Sequence, residues 1–205
     1  LGFLREIILA FFFGSSIMYA NYLLLKTISD FFSQLISGNA LQANLMPKFA
    51  KLYRKEASID LSGVFVFSKY FSLKLFLLSQ IIQIPMIWYI NPQRIEIYVV
   101  LSVLLGFVMS VNLFNSIFLT ILQAKGKFKR HSIATTFNLS VSTGLLYPFT
   151  LFFGVIGVVL SRLSGAITLA LIYVKPLFAE KGDVRANLSL SDFNFSIMIL
   201  GNFAN

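Results

Sequence analysis

Long uncharged stretches recur along this chain of 205 residues. They cover residues 7–25, 31–47, 75–93, 97–124 and 132–161, with a shorter stretch at 163–174. An α-helix needs about 20 residues to cross about 30 Å of hydrocarbon, and several stretches reach or approach that length. A transmembrane barrel would instead show strict alternation over segments of about 10 residues. The pattern therefore predicts an all-α, polytopic bundle of transmembrane helices.

Glycine, proline and short polar clusters divide these stretches into helices. Residues 1–13 are too short to span a membrane alone, and Gly14 with its two serines should end them, so we interpret them as the second half of a helix. Pro85 should kink the third helix, and Pro148 should lie in the last turns of the fifth. The remaining predicted helices cover residues 19–37, 64–89, 97–124, 132–152 and 155–174, and another apolar segment covers 192–205. We therefore expect about six spans and the start of a seventh.

Glycine and proline predict two further helix breaks. Gly38 and Asn39 should interrupt the second helix, which resumes towards Pro47, and Lys175-Pro176 should stop the sixth helix. Proline has no amide donor and clashes with the preceding turn, which is the reason for the second expectation.

Basic residues are concentrated in every second connection. Segments 48–55, 125–130 and 175–185 hold most of the 17 basic residues, whereas the intervening connections hold only Arg94. Because basic loops stay in the cytoplasm, we predict that these three segments are cytoplasmic and that 91–96 is periplasmic. The net charge of +9 is then a topology signal, and we expect no nucleic-acid partner.

Charged residues inside apolar helices are the main candidates for function. Lys26, Asp30 and Arg162 lie in such stretches, where a charge near the bilayer centre costs about 2.5–3.5 kcal/mol. One interpretation is a structural ion pair between helices, or snorkelling near a helix end. The other is a polar pathway through the bundle. Lys26 and Asp30 begin a stripe on one helix face that continues with Ser33 and Ser37.

Uncharged polar residues accompany this stripe on other helices. His131, Thr135, Asn138 and Ser142 repeat its spacing on the fifth helix, and Asn112 and Asn115 lie on the fourth. Such side chains commonly form hydrogen bonds between membrane helices, which is the alternative to lining a cavity.

Signals for enzymatic chemistry are poor. The chain has no cysteine and a single histidine, His131, next to a basic loop. No carboxylate pair, metal-ligand spacing, glycine-rich phosphate loop or nucleophile elbow is visible in the sequence. We therefore predict a protein that is not an enzyme, without a cofactor or a metal site.

A resemblance to known transporters covers most of the chain. Its segments are Leu1-Gly2-Phe3-Leu4-Arg5-Glu6 with Ala10-Phe11-Phe12-Phe13-Gly14, then Gly38-Asn39-Ala40-Leu41-Gln42-Ala43-Asn44-Leu45-Met46-Pro47, and Leu122-Gln123-Ala124-Lys125-Gly126-Lys127-Phe128. These segments resemble the MurJ/MviN lipid II flippases. The wider superfamily of multidrug, oligosaccharidyl-lipid and polysaccharide exporters also includes the Wzx-like polysaccharide flippases and the MATE drug exporters.

The resemblance implies a protein of two helical lobes around a central cavity. Residues 1–177 would be most of the N-terminal lobe, and 178–205 a cytoplasmic linker with the start of the seventh helix. The C-terminal lobe would then be the chain's missing partner. Ala20 stands where the lipid II flippases carry an Asp, and Ser33 and Gln34 stand where they carry two Arg. These departures favour a polysaccharide flippase over a lipid II flippase.

The implied function is transport of an undecaprenyl-pyrophosphate-linked oligosaccharide, or a related polysaccharide precursor, by alternating access. The protein would lie in the bacterial inner membrane, with Na⁺, H⁺ or the membrane potential as candidate driving forces. A cation-coupled MATE-type exporter, a lipid II flippase and a non-transporting membrane scaffold are the alternatives. The candidate residues are Arg5, Lys26 and Arg162 for the head group, Asp30 and Glu6 for coupling or orientation, and Ser33, Asn112, Asn115 and Asn138 for the cavity lining.

Overall fold

The computed structural model describes residues 2–37, 45–47, 49–51, 58–59, 61–90, 94–178 and 185–186. The helices are α1 (Gly2–Phe13), α2 (Ile17–Ser37), α3 (Leu61–Ile90), α4 (Ile95–Ala124), α5 (Phe128–Gly144), α6 (Leu146–Phe153) and α7 (Val155–Phe178). Residues 45–47 and 49–51 are also helical. Two short segments, β1 (Ser58–Ile59) and β2 (Arg185–Ala186), pair in parallel. The described part of the chain is thus all-helical apart from this one contact between two connecting segments.

The predicted helices at 1–13, 19–37, 64–89 and 97–124 are confirmed to within a few residues. Gly14 and Gly126 follow the ends of α1 and α4 with φ of 46° and 71°. This left-handed conformation suits glycine because it has no Cβ to clash. The glycines in the sequence therefore predict these helix ends correctly.

The predicted fifth helix is wrong in one respect, because it is two helices. α5 ends at Gly144, and Pro148 lies in the first turn of α6 rather than in the last turns of one long helix. Proline has no N–H to donate to the carbonyl four residues earlier, which here is the carbonyl of Gly144. The first turn of a helix tolerates this loss, since its N–H groups have no partner within the helix.

The predicted stop at Lys175-Pro176 is also wrong, because α7 continues to Phe178. Pro176 falls in the last turn of α7, where its missing amide removes one hydrogen bond at an end that already frays. The predicted break at Gly38-Asn39 and the segment 192–205 lie outside the described residues.

Three of the described helices are long and apolar enough to cross a membrane, over Val64–Tyr89, Ile95–Ala124 and Val155–Val174. α2 has 21 residues, but its polar residues keep it out of this group. α1 has 12 residues, and the break at Leu145 divides α5 from α6. The expectation of about six spans is therefore not confirmed.

α4 is the central helix of the bundle. It packs against α2, α3 and α7, while α7 also packs against α5 and α6. The buried apolar side chains form two clusters along the bundle. One cluster includes Met109, Ile117 and Tyr173, and the other includes Leu101 and Val158.

Glycines allow two of the closest helix contacts. A Cβ on Gly157 would lie 2.0 Å from the Phe149 carbonyl oxygen, so α6 and α7 can meet only because this atom is missing. A Cβ on Gly165 would lie 2.4 Å from Asn138 Oδ1, at the contact of α5 with α7. These contacts hold α5 and α6 against the helix that carries Arg162.

Candidate functional site

Asp30 joins the charged residues of two helices. Its Oδ2 lies 3.2 Å from Lys26 Nζ, one turn earlier on α2, and its Oδ1 lies 3.3 Å from Arg162 Nη2 on α7. The pair between Lys26 and Asp30 follows from their spacing of four residues on a helix. The pair between Asp30 and Arg162 connects positions 132 residues apart, and it depends on how α2 and α7 pack.

These charges lie deep along their helices. At 1.5 Å per residue, Arg162 is about 11 Å and 18 Å from the two ends of its apolar span. Lys26 is similarly central in the 21 residues of α2. The side chain of Arg162 is 17% exposed, whereas those of Lys26 and Asp30 are 32% and 36% exposed. Snorkelling from a helix end therefore does not explain Arg162.

Arg5 brings a third cation to this region from α1. Its guanidinium is half-buried and close enough to Arg162 for electrostatic repulsion, and it also interacts with Tyr22. We call Arg5, Lys26, Asp30 and Arg162 the charged cluster. It sets three cationic side chains against one carboxylate. Glu6 is exposed and attracts Arg5 electrostatically, so it balances the charge only from the edge.

A small cavity of about 10 Å³ lies beside Asp30 and Arg162. This is about the size of one water molecule. Ser33 and Asn112 line it, together with Ser29 and apolar residues of α4. Arg162 Nη1 is buried and makes no hydrogen bond with any described residue. Because a buried donor without a partner is costly, this nitrogen is available to a water molecule or an anionic ligand.

The other two predicted lining residues lie at helix contacts. Asn115 Nδ2 on α4 donates to the Ala166 carbonyl of α7 at 2.9 Å. Asn138 approaches Gly165 between α5 and α7. Among the described residues, both asparagines therefore contact a neighbouring helix, which was the expected alternative to lining a cavity.

A buried polar network next to the cluster was largely missed by the sequence analysis. Ser102 Oγ on α4 lies 2.8 Å from Gln80 Oε1 and 2.7 Å from Gln83 Oε1 on α3. Gln83 Nε2 donates to Ser29 Oγ on α2 at 2.7 Å. Because Ser29 adjoins Asp30 in sequence, the network ties the position of the charged cluster on α2 to α3 and α4.

Tyr22 was also missed, although the spacing on α2 could have identified it. It precedes Lys26 by four residues and therefore continues the stripe by one turn. The side chain is 1% exposed and lies against the Arg162 guanidinium. An aromatic residue in an apolar helix resembles ordinary core, so only its place in the stripe marks it.

The second predicted stripe, on α5, faces α7. His131 Nδ1 is 2.8 Å from the Tyr173 hydroxyl, and Thr135 follows one turn later. Ser142 meets α7 at Gly165. In the described part of the chain these residues join α5 to α7.

Comparison with known proteins identifies no relative of this chain. No family model, no curated protein and no solved structure matches it.

Proposed function

We propose that this chain is part of a membrane transporter that moves an undecaprenyl-pyrophosphate-linked oligosaccharide, or a related polysaccharide precursor, across the bacterial inner membrane. The observation that carries the proposal is the charged cluster, where Lys26 and Arg162 share the single carboxylate of Asp30 and Arg5 lies close enough to Arg162 to repel it. Such an excess of positive charge among apolar helices favours an anionic ligand. A pyrophosphate provides the complementary charge.

The Arg162 guanidinium is the best candidate for direct contact with the head group. One of its terminal nitrogens is held by Asp30, and the other, Nη1, has no hydrogen-bond partner among the described residues. Arginine presents its donors as a planar fork that matches phosphate oxygens. Asp30 therefore orients the guanidinium, and Nη1 donates to the ligand.

The exposure of Lys26 and Asp30 supports a polar path next to the cluster. Both side chains are about one-third exposed near the middle of α2. Charged side chains at this depth in membrane helices almost always face a bundle interior or a water-filled cavity. A transporter with a second lobe would provide this cavity, and rocking of the two lobes would open it to each side in turn.

The resemblance to the polysaccharide flippases supports the substrate class in this proposal. The alternative functions, drug export and lipid II transport, come from the same superfamily. A MATE-type exporter for cationic drugs would favour acids over bases in the membrane. Within the charged cluster the one acid, Asp30, is already paired with two cations. This composition favours an anionic cargo.

A purely structural role for the charges is the second candidate, because Asp30 and Arg162 do form an ion pair. Arg162→Lys in the complete protein separates the two roles, since it keeps the charge but removes the fork. We expect about tenfold weaker binding of an undecaprenyl-pyrophosphate-linked sugar to the reconstituted protein, at normal protein abundance. Arg130→Lys is the matched control, because Arg130 is exposed at the start of α5.

The double replacement Arg162→Gln with Asp30→Asn provides the opposing test. It removes both charges of the Asp30–Arg162 pair and leaves only Lys26, which is about one-third exposed, without its partner, so the abundance of inserted protein should recover. If Arg162 binds the head group, export of surface polysaccharide per inserted molecule stays low. Recovery of export together with abundance would reject the head-group role and favour the structural one.

A further inference from the structure

An apolar groove runs along the outside of the bundle, apart from the charged cluster. α4 forms its floor, and α3 and α7 form its two walls. The groove has a volume of about 540 Å³. Its apolar lining includes Leu73 and Phe76 of α3, Phe107 of α4, and Ile167 and Leu171 of α7. Leu171 is 66% exposed and Phe107 is 51% exposed, so no described residue covers the groove.

The length of the groove matches one leaflet of a bilayer. Along α3 the lining runs from Phe65 to Phe76, which is about 16 Å at 1.5 Å per residue. Half of the hydrocarbon core is about 15 Å thick. On α3 these residues occupy the first half of the apolar span, and on α7 the lining from Ile167 to Val174 occupies the last part. The groove therefore lies in the half of the bundle that carries the basic connection between α4 and α5.

Lys69 is the charged residue of the groove lining. It lies five residues, or about 8 Å, inside the start of the α3 span. Its side chain is exposed and makes no ion pair with any described residue. A lysine at this depth extends its ammonium towards the headgroup region along its flexible stem. The groove thus combines an apolar channel of leaflet length with a cation at its headgroup end.

We propose that this groove binds one acyl chain of an anionic glycerophospholipid, whose phosphate pairs with Lys69. A protein helix fits the groove less well, because it would bury Lys69 against apolar side chains without an acidic partner. A lipid satisfies both parts, since its chain covers the exposed Leu and Phe surface while its phosphate stays in the headgroup layer. The site is distinct from the charged cluster and independent of the transported substrate.

Quenching of a tryptophan by brominated lipid tests this proposal. Trp88 is the single tryptophan of the chain, so Phe107→Trp in a Trp88→Phe background places one reporter in the groove. The protein is reconstituted in phosphatidylcholine with a small fraction of brominated phosphatidylglycerol or brominated phosphatidylcholine. We expect the reporter to favour the anionic lipid about fivefold over the neutral one.

Two controls make the result specific. Lys69→Gln should abolish the preference, whereas Lys74→Gln should leave it unchanged, because Lys74 is also exposed on α3 but does not line the groove. Unaltered Trp88, at the other end of α3 and 66% exposed, should show no preference between the two lipids.

Three results would overturn the proposal. Equal quenching by both lipids would mean that the groove does not select the headgroup. An equal loss with Lys74→Gln would assign the preference to overall charge. Quenching of the groove reporter below that of Trp88 by either lipid would show that a protein segment, from another lobe or a second copy, covers the groove.

Discussion

Replacement of Asp30 by asparagine removes the carboxylate that two cations share. At 3.3 Å, the attraction between Asp30 and Arg162 is about 5 kcal/mol for an effective dielectric constant of about 20. The loss of a partner costs about 3–5 kcal/mol for a buried pair and about 0–1 kcal/mol for an exposed one. Arg162 is 17% exposed and Asp30 is 36% exposed, which places this pair between the two limits. We therefore expect Asp30→Asn to lower the free energy of unfolding by about 2–3 kcal/mol.

The assay is unfolding in mixed micelles by titration with SDS, followed by far-ultraviolet circular dichroism. Glu6→Gln is the matched control, because Glu6 is an exposed acid on α1, and it should change the free energy of unfolding by less than about 0.5 kcal/mol. The double variant Asp30→Asn with Arg162→Gln should lie within about 1 kcal/mol of the unaltered protein. It leaves neither Asp30 nor Arg162 charged, and the remaining cation, Lys26, is about one-third exposed, so the loss of its partner costs little.

Additive losses in the double variant would refute this reasoning, because they would show that Asp30 and Arg162 do not stabilise each other. An Asp30→Asn variant as stable as the Glu6→Gln control would refute it as well. In that case another group must already balance the cations, and Asp30 would not be the acid that stabilises the charged cluster.

Three further predictions concern topology, packing and the polar network. A cysteine introduced at Lys127 should resist an impermeant thiol reagent in intact cells and react after permeabilisation, and external labelling would reverse the predicted orientation. Gly165→Ala should destabilise the protein by about 1–3 kcal/mol, because its added methyl group would crowd the Asn138 side chain and lie 2.9 Å from Ser142 Cβ and 3.1 Å from the Asn138 carbonyl oxygen. Gly144→Ala should leave the stability unchanged, because a Cβ at this position would have nothing within 4 Å. Equal destabilisation by the two variants would argue against the close contact of α5 with α7. Ser102→Ala should cost about 1–3 kcal/mol, since it leaves buried glutamine groups of α3 without their partner. Thr136→Ala removes an exposed hydroxyl bonded within its own helix and should be nearly neutral, so similar losses in both would mean that the network contributes little.

Several features of this protein were predictable because they depend on near neighbours in the sequence. The ends of α1 and α4 were placed by Gly14 and Gly126, whose positive φ values are a local property. The contact of Lys26 with Asp30 follows from 3.6 residues per turn. The two errors of helix length, at Pro148 and Pro176, have a local cause too. A proline forbids one hydrogen bond, but its position within a helix depends on which neighbouring turn can tolerate the loss.

The composition of the charged cluster was decided only by the tertiary structure. Arg162 and Lys26 were both candidate partners of Asp30. No spacing rule predicts a contact between Asp30 and Arg162, which are 132 positions apart. The choice depends on α2 and α7 both packing against α4, which results from many weak contacts spread over three helices. Packing of α1 against α5 and α6 likewise brings Arg5 near Arg162, and packing of α3 against α2 joins Gln83 to Ser29. Sequence periodicity therefore determined which face of each helix is polar, whereas helix packing determined which polar faces meet.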